Sequence, residues 1–162
     1  MINKIVLGGG CFWGLQELLR KQPGVVSTSA GYSGGTVESP TYENHQGHAE
    51  VAEITYDTDK TSLKNILDFF FQIHNPTTLN QQGNDMGSSY RSVIFYSTLQ
   101  EKKEAEDFIK IVNDSKRWKD QVVTTLEPFT KYTLAENYHQ DYLQKNPQGY
   151  TCHRIWFSSY LS

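Results

Sequence analysis

Hydrophobic periodicity changes along this chain in a set order, and that order limits the folds open to it. Ile5-Val6-Leu7 is a short aliphatic run that predicts a buried strand, and residues 15–21 predict a helix stopped by Pro23 and Gly24. Residues 25–30 predict a second strand, broken by Gly31-Tyr32-Ser33-Gly34-Gly35-Thr36, and residues 48–57 alternate as a third. Leu63, Ile66, Leu67, Phe70 and Ile73 form one stripe of a helix over 61–74, ended by Asn75-Pro76, and residues 90–97 predict a fourth strand. Strand–helix–strand–strand–helix–strand is the split βαβ order of ferredoxin-like folds, and right-handed crossovers place both helices on one face. The fold class expected is therefore α+β, a two-layer α/β sandwich with one domain over residues 1–162.

Around this core the signals are more local. Two long loops, 31–47 and 77–89, interrupt the pattern, and long loops inside a small domain are usually functional. Thr98-Leu99-Gln100-Glu101 is a capping box that opens a helix to about residue 113, and residues 122–126 predict an edge strand. Thr133-Leu134-Ala135-Glu136 reads as a second capping box opening a short helix to residue 145, before Pro147 and Gly149. The tail, 150–162, has no strand or helix period.

The first strand hands over to the first helix through Gly8-Gly9-Gly10-Cys11-Phe12-Trp13-Gly14. A thiol at a helix N-terminus faces unpaired N–H groups and the positive end of the helix dipole, which predicts a lowered pKa and a thiolate nucleophile. The alternative is a small core cysteine in a glycine turn. Dinucleotide binding fits poorly, since Trp13 stands where the fingerprint needs its third glycine and 25–28 offers no acid; a P-loop lacks its Gly-Lys-Ser/Thr. On the third strand Glu50 shares a face with Ala52, Ile54 and Tyr56. Either Glu50 lies near the strand end and reaches solvent, or it is buried, in which case its pKa would be raised and it could donate a proton near neutrality.

The chain carries a net charge of −3 without a basic block, which argues against nucleic acid, and no apolar run reaches membrane-span length. Its first residues run into a strand without a signal-peptide pattern, and its two cysteines, Cys11 and Cys152, are far apart, which together predict a cytoplasmic protein with catalytic or unpaired thiols. If the loops, the Cys11 turn and the tail meet at one sheet edge, the site gathers Cys11, Glu50, Asp85, Tyr42, Tyr90, Phe12 and Trp13. Five histidines leave a Cys–His hydrolase open, and His45-x-x-His48 with the cysteines is a weak zinc pattern. A thiol sensor that catalyses nothing also remains, although it has no use for Glu50.

These residues fall into motifs. Gly10-Cys11-Phe12-Trp13-Gly14, Gly31-Tyr32-Ser33-Gly34-Gly35, Pro40-Thr41-Tyr42 and Gly47-His48-Ala49-Glu50-Val51 resemble, in order, those of the A-type peptide methionine sulfoxide reductases. So do residues 74–80, 82–87, 90–92 and Ala135-Glu136-Asn137-Tyr138-His139-Gln140. The resemblance implies thiol-dependent reduction of methionine-S-sulfoxide, peptide-bound or free, as protein repair after oxidative damage. It implies that Cys11 attacks the sulfoxide sulfur, Glu50 supplies the proton, Tyr42 and Tyr90 bond the oxygen, Phe12 and Trp13 hold the S-methyl group and Asp85 positions substrate. It implies a Cys11 sulfenic acid, resolved as a disulfide by Cys152 on a mobile tail and recycled by thioredoxin, with dithiothreitol able to substitute. No bound cofactor or metal is expected, the chain is expected to be a monomer, and His139 is read as structural. Two features depart from many members: Thr151 separates Gly149-Tyr150 from Cys152, and the stretch from Glu43 to Gln46 is short and has no cysteine.

Overall fold

A computed structural model describes residues 1–161. Its elements are β1 (Ile2–Gly8), α1 (Phe12–Leu19), β2 (Val25–Ser33), β3 (Ala49–Asp57), α2 (Leu63–Ile73), β4 (Gln81–Gln82), β5 (Asp85–Met86), β6 (Val93–Tyr96), α3 (Leu99–Ser115), β7 (Thr125–Pro128), β8 (Tyr132–Leu134) and α4 (Tyr142–Lys145). The architecture is mixed α+β. Six strands form one sheet in the order β7-β6-β1-β3-β2-β8, and β4 and β5 make a separate small hairpin. The four central strands pair antiparallel, β8 adds antiparallel to β2, and β7 runs parallel to β6.

Side chains alternate across the sheet as strand geometry requires. Ile5, Leu7, Ala52, Ile54 and Ile94 join Leu15, Leu19, Ile66, Leu67, Phe70, Phe71 and Phe108 in the main core, so α1, α2 and α3 cover one face. Each such Leu, Ile or Phe contributes roughly 1.5–3 kcal/mol by leaving water. On the opposite face Val6, Val51, Val93 and Phe95 form a smaller cluster against Tyr132. Ser62 and Thr98 cap α2 and α3 by accepting from the backbone N–H of Asn65 and Glu101.

Several segments differ from expectation. The second strand does not end at Gly31: Tyr32 pairs with Glu50 on one side and Thr133 on the other, and pairing along both edges outweighs the poor strand preference of glycine and serine. Tyr90 lies in a short 3-10 turn, Ser88–Tyr90, and the fourth core strand starts at Val93. The edge strand starts at Thr125 rather than Val122.

The predicted capping box at Thr133 is not a helix start. Tyr132–Leu134 is a strand, and the Glu136 carboxylate is bonded by the Tyr32 hydroxyl at 2.8 Å and the Tyr42 N–H at 2.9 Å instead of turning back on its own chain. Only a 3-10 turn, Asn137–His139, and the four-residue α4 follow.

The tail is irregular yet firmly docked. The Trp156 N–H donates to the Gln72 carbonyl at 2.7 Å, and Asp68, buried, accepts from Ser159 Oγ and the Tyr160 N–H, each at 2.7 Å. Arg117 reaches the carbonyls of Ser158 and Ser159.

Candidate active site

Cys11 is the N-cap residue of α1, held there by a tight turn in which Gly10 has φ = 101°, a conformation that glycine adopts without strain. β3 runs beside β1, and its register places Glu50 beneath the start of α1. The Phe12 N–H donates to Glu50 Oε1 at 3.2 Å. One strand end and one helix start therefore bring together thiol and carboxyl, separated in sequence by the loop and by β2.

Glu50 is 1% exposed. Burial, helped by the charge of Asp85 and opposed by the Phe12 N–H, raises its pKa to about 8. At pH 7 it is a neutral acid holding a proton, the buried one of the two readings its place on an apolar strand face left open. The thiol departs from expectation. Burial raises the Cys11 pKa well above the ordinary thiol value, with Glu50, Asp85 and Cys152 adding to it; the Trp13 N–H pulls the other way and is outweighed. The helix N-terminus is present, but taking a thiolate out of water costs more than the helix end returns. The Cys11 thiol is protonated at neutral pH, and neither cysteine is in a disulfide.

Tyr42 and Tyr90 come from the two long loops and face the same space. The phenol pKa of each is raised, first by burial and then by Glu50, Cys11 and Asp85, which places both hydroxyls in the field of the thiol and carboxyl. Among the described residues neither hydroxyl has a hydrogen-bond partner.

The two aromatic residues after Cys11 occupy different positions. Phe12 is fully buried, its ring 5.6 Å from Tyr32 and 5.0 Å from His139. Trp13 is at the rim, stacked on Tyr142 at 3.7 Å with 7° between the rings, and its indole N–H donates to His139 Nδ1 at 3.0 Å. Asp85 faces the tail: its Oδ2 accepts from the Tyr150 hydroxyl at 3.2 Å and the Cys152 thiol at 3.6 Å. Cys152 is thereby brought close enough to Cys11 for the Cys11 backbone N–H to favour its ionised form. Burial and Asp85 raise the Cys152 pKa to about 11.

Three residues matter more here than the sequence indicated. His139 fixes Trp13, Glu136 ties Tyr32 to the Tyr42 loop, and His153, beside Cys152, is bonded to the Gly9 carbonyl at 2.6 Å. The first two stand in the quoted motif 135–140; nothing in the sequence places His153 at the turn. The open alternatives lose ground. His45 is engaged by the Thr41 carbonyl and Ser89, and His48 by the Gly35 N–H and the Val37 carbonyl, so the His45-x-x-His48 pair has no ring nitrogen to spare for zinc. Among the described residues no histidine ring hydrogen-bonds the Cys11 thiol as a Cys–His hydrolase requires, the rings being engaged by other partners.

A buried thiol, a protonated carboxyl and two free phenols around an aromatic rim can attack an electrophile whose oxygen must be protonated as it leaves. A family model described as peptide methionine sulfoxide reductase matches residues 3–159. A protein of Nocardia farcinica named peptide methionine sulfoxide reductase MsrA is 55% identical over 151 residues, covering 93% of this chain and 89% of that one. Among solved structures, the reduced form of Mxr1 from Saccharomyces cerevisiae superposes with a TM-score of 0.81 at 34% identity, covering 95% of this chain and 92% of the other. Methionine sulfoxide reductase A of Corynebacterium diphtheriae gives 0.81 at 31% identity, with coverage of 93% and 77%.

Proposed function

The chain belongs to the peptide methionine sulfoxide reductase family, and we propose on that premise that it reduces the S epimer of methionine sulfoxide, in peptides and free, through a Cys11 sulfenic acid. The observation that carries the reading is Glu50: a carboxyl pushed to about 8, bonded to the backbone directly after the nucleophile.

In the reaction the Cys11 thiol gives up its proton and its sulfur bonds to the sulfoxide sulfur. Glu50 passes its proton to the sulfoxide oxygen, with Tyr42 and Tyr90 hydrogen-bonding it. The S–O bond breaks and the oxygen passes to the Cys11 sulfur as S–OH while the new S–S bond breaks; methionine leaves as the sulfide, and the proton from the thiol replaces the one Glu50 gave up. The methionine sulfur is reduced and the cysteine sulfur oxidised by two electrons, so the step needs no further redox partner. The raised Cys11 pKa suits this sequence: the thiol stays unreactive until substrate and proton donor are together. Trp13, held by Tyr142 and His139, is the wall against which the S-methyl group packs, and Phe12 backs that wall from the core.

Cys152 then attacks the sulfenic sulfur, and the disulfide is reduced by thioredoxin through thiol–disulfide exchange. The docked tail supports this, since Asp85 already accepts from the Cys152 thiol beside the site. We further read the four central strands with α1 and α2 as a split βαβ of the ferredoxin-like kind, the whole chain as one domain acting as a monomer, and its setting as cytoplasmic. No helix among the described residues is long and apolar enough to cross a membrane.

The test is incubation with a racemic peptide methionine sulfoxide and dithiothreitol, followed by chromatographic separation of the epimers. Loss of the S epimer alone is expected; loss of neither, with the protein folded and Cys11 titrating as a free thiol, refutes the reading.

A further inference from the structure

His153 has no part in the first step, yet the fold spends three contacts on it. Its Nε2 lies 2.6 Å from the Gly9 carbonyl. A carbonyl only accepts, so Nε2 carries the proton and the neutral ring presents Nδ1 as a lone pair. That nitrogen is packed over α1, where a Cβ added at Gly14 would come within 2.2 Å of it. The Cys152 sulfur lies 4.0 Å from the same atom, at the outer limit of a thiol hydrogen bond. The imidazole is 8% exposed, so water does not compete for the lone pair.

We propose, resting on the reading of Cys152 as the resolving thiol, that His153 is the general base of the second step and takes the Cys152 proton on Nδ1. The Cys152 sulfur then bonds to the Cys11 sulfenic sulfur as the S–O bond breaks. The hydroxyl leaves as water with a proton from Glu50, and the proton held on His153 returns to Glu50 through solvent. One S–S bond replaces one S–O bond, the sulfenic sulfur gaining and the thiol sulfur losing the electrons.

The neighbour that competes for this role is Asp85, whose Oδ2 is 3.6 Å from the same sulfur. Its charge opposes ionisation of Cys152, so proton transfer to it would leave a thiolate beside the group that disfavours one. Transfer to neutral His153 creates an imidazolium next to the thiolate, an attractive pair of the kind that activates cysteine nucleophiles. The titratable groups facing the imidazole are Cys152 and Asp85 and, from the end of α2, His74; Cys11 and Glu50 stand beyond Cys152. Burial holds His153 below the ordinary histidine range, so the base is unprotonated throughout neutral pH.

The experiment mixes fully reduced protein with peptide methionine sulfoxide in the absence of reductant. Methionine release and formation of the Cys11–Cys152 disulfide are followed separately after acid quench, the latter by intact mass with thiol blocking. His153→Gln retains an N–H that can reach the Gly9 carbonyl but has no base at the Nδ1 position. It should release one methionine per chain at the wild-type rate, which also reports that it folds. Its disulfide should form about a hundred-fold more slowly at pH 7, the loss expected for a missing general base. That deficit should shrink as pH rises toward the Cys152 value of about 11. An equal disulfide rate, or a deficit independent of pH, overturns the proposal and leaves Cys152 as the resolving thiol. If the variant fails to fold, the wild-type profile decides: a disulfide rate flat between pH 6.5 and 8 supports the base, and a tenfold rise per pH unit overturns it. Methionine release by wild type with no disulfide at any pH overturns both this proposal and the resolving role of Cys152.

Discussion

Replacing Glu50 by glutamine should make the protein more stable and nearly inactive, and both effects follow from one buried proton. The amide keeps the carboxyl's shape and an oxygen for the Phe12 N–H, which lies 3.2 Å from Glu50 Oε1. Folding moves the carboxyl from its ordinary 4.5 to about 8. Below pH 4.5 it is protonated in both states and costs nothing. Between there and about 8 only the unfolded chain gains by ionising, so stability falls as pH rises and levels off above 8. With about 1.4 kcal/mol for each tenfold change in proton affinity, the loss amounts to about 5 kcal/mol by pH 8. Glu50→Gln has no such loss. Urea unfolding of both proteins from pH 4.5 to 8.5 should therefore give two lines that diverge with pH, the variant above. Over the same range the variant should turn over sulfoxide a hundred-fold or more slowly, because an amide cannot give up a proton to the leaving oxygen. Wild-type kcat/KM should fall above pH 8 as Glu50 ionises. Parallel stability lines, or a variant with wild-type turnover, would refute the argument that Glu50 is a buried neutral acid and the proton donor.

Cys11→Ser should abolish turnover, whereas Cys152→Ser should release one methionine per chain and then fail to recycle with thioredoxin; normal recycling in the second variant would remove Cys152 from the mechanism. Gly14→Ala puts a methyl 2.2 Å from His153 Nδ1 and 2.6 Å from Thr151 Oγ1, so the tail must shift; disulfide formation should slow while the first methionine is released as in wild type, as read in the same quenched-flow assay. Glu136→Ala removes the acceptor shared by the Tyr32 hydroxyl and the Tyr42 N–H, and should cost about 1–3 kcal/mol in urea unfolding and raise KM more than it lowers kcat, because Tyr42 loses its anchor.

How far the sequence could be read depended on whether the deciding interactions were local. Alternation alone put Glu50 on the apolar side of β3, and the structure leaves it buried and neutral there. The stripe of α2 and the Thr98 cap were equally legible, being properties of a few consecutive residues. The second capping box failed because its signal is also local and something distant outcompeted it: Glu136 serves Tyr32 and Tyr42, which are 104 and 94 residues away in sequence. Cys11 failed in the same manner. A helix N-terminus predicts a lowered pKa, but the burial and the Glu50 carboxyl that oppose it exist only once β3 lies against β1.

The sequence by itself determined the order of the core elements, the placing of Cys11 at a helix start and of Glu50 on the apolar strand face and, through its motifs, the family. Those rest on periodicity and on residue chemistry, which the unfolded chain already carries. Tertiary structure decided the protonation states, the partner of each aromatic ring and the docking of the tail. Asp85 meets Cys152 across 67 residues, Trp13 meets His139 across 126, and His153 meets the Gly9 carbonyl across 144. Such contacts depend on strand register and on the exclusion of water, and neither is a property of any stretch of sequence taken alone.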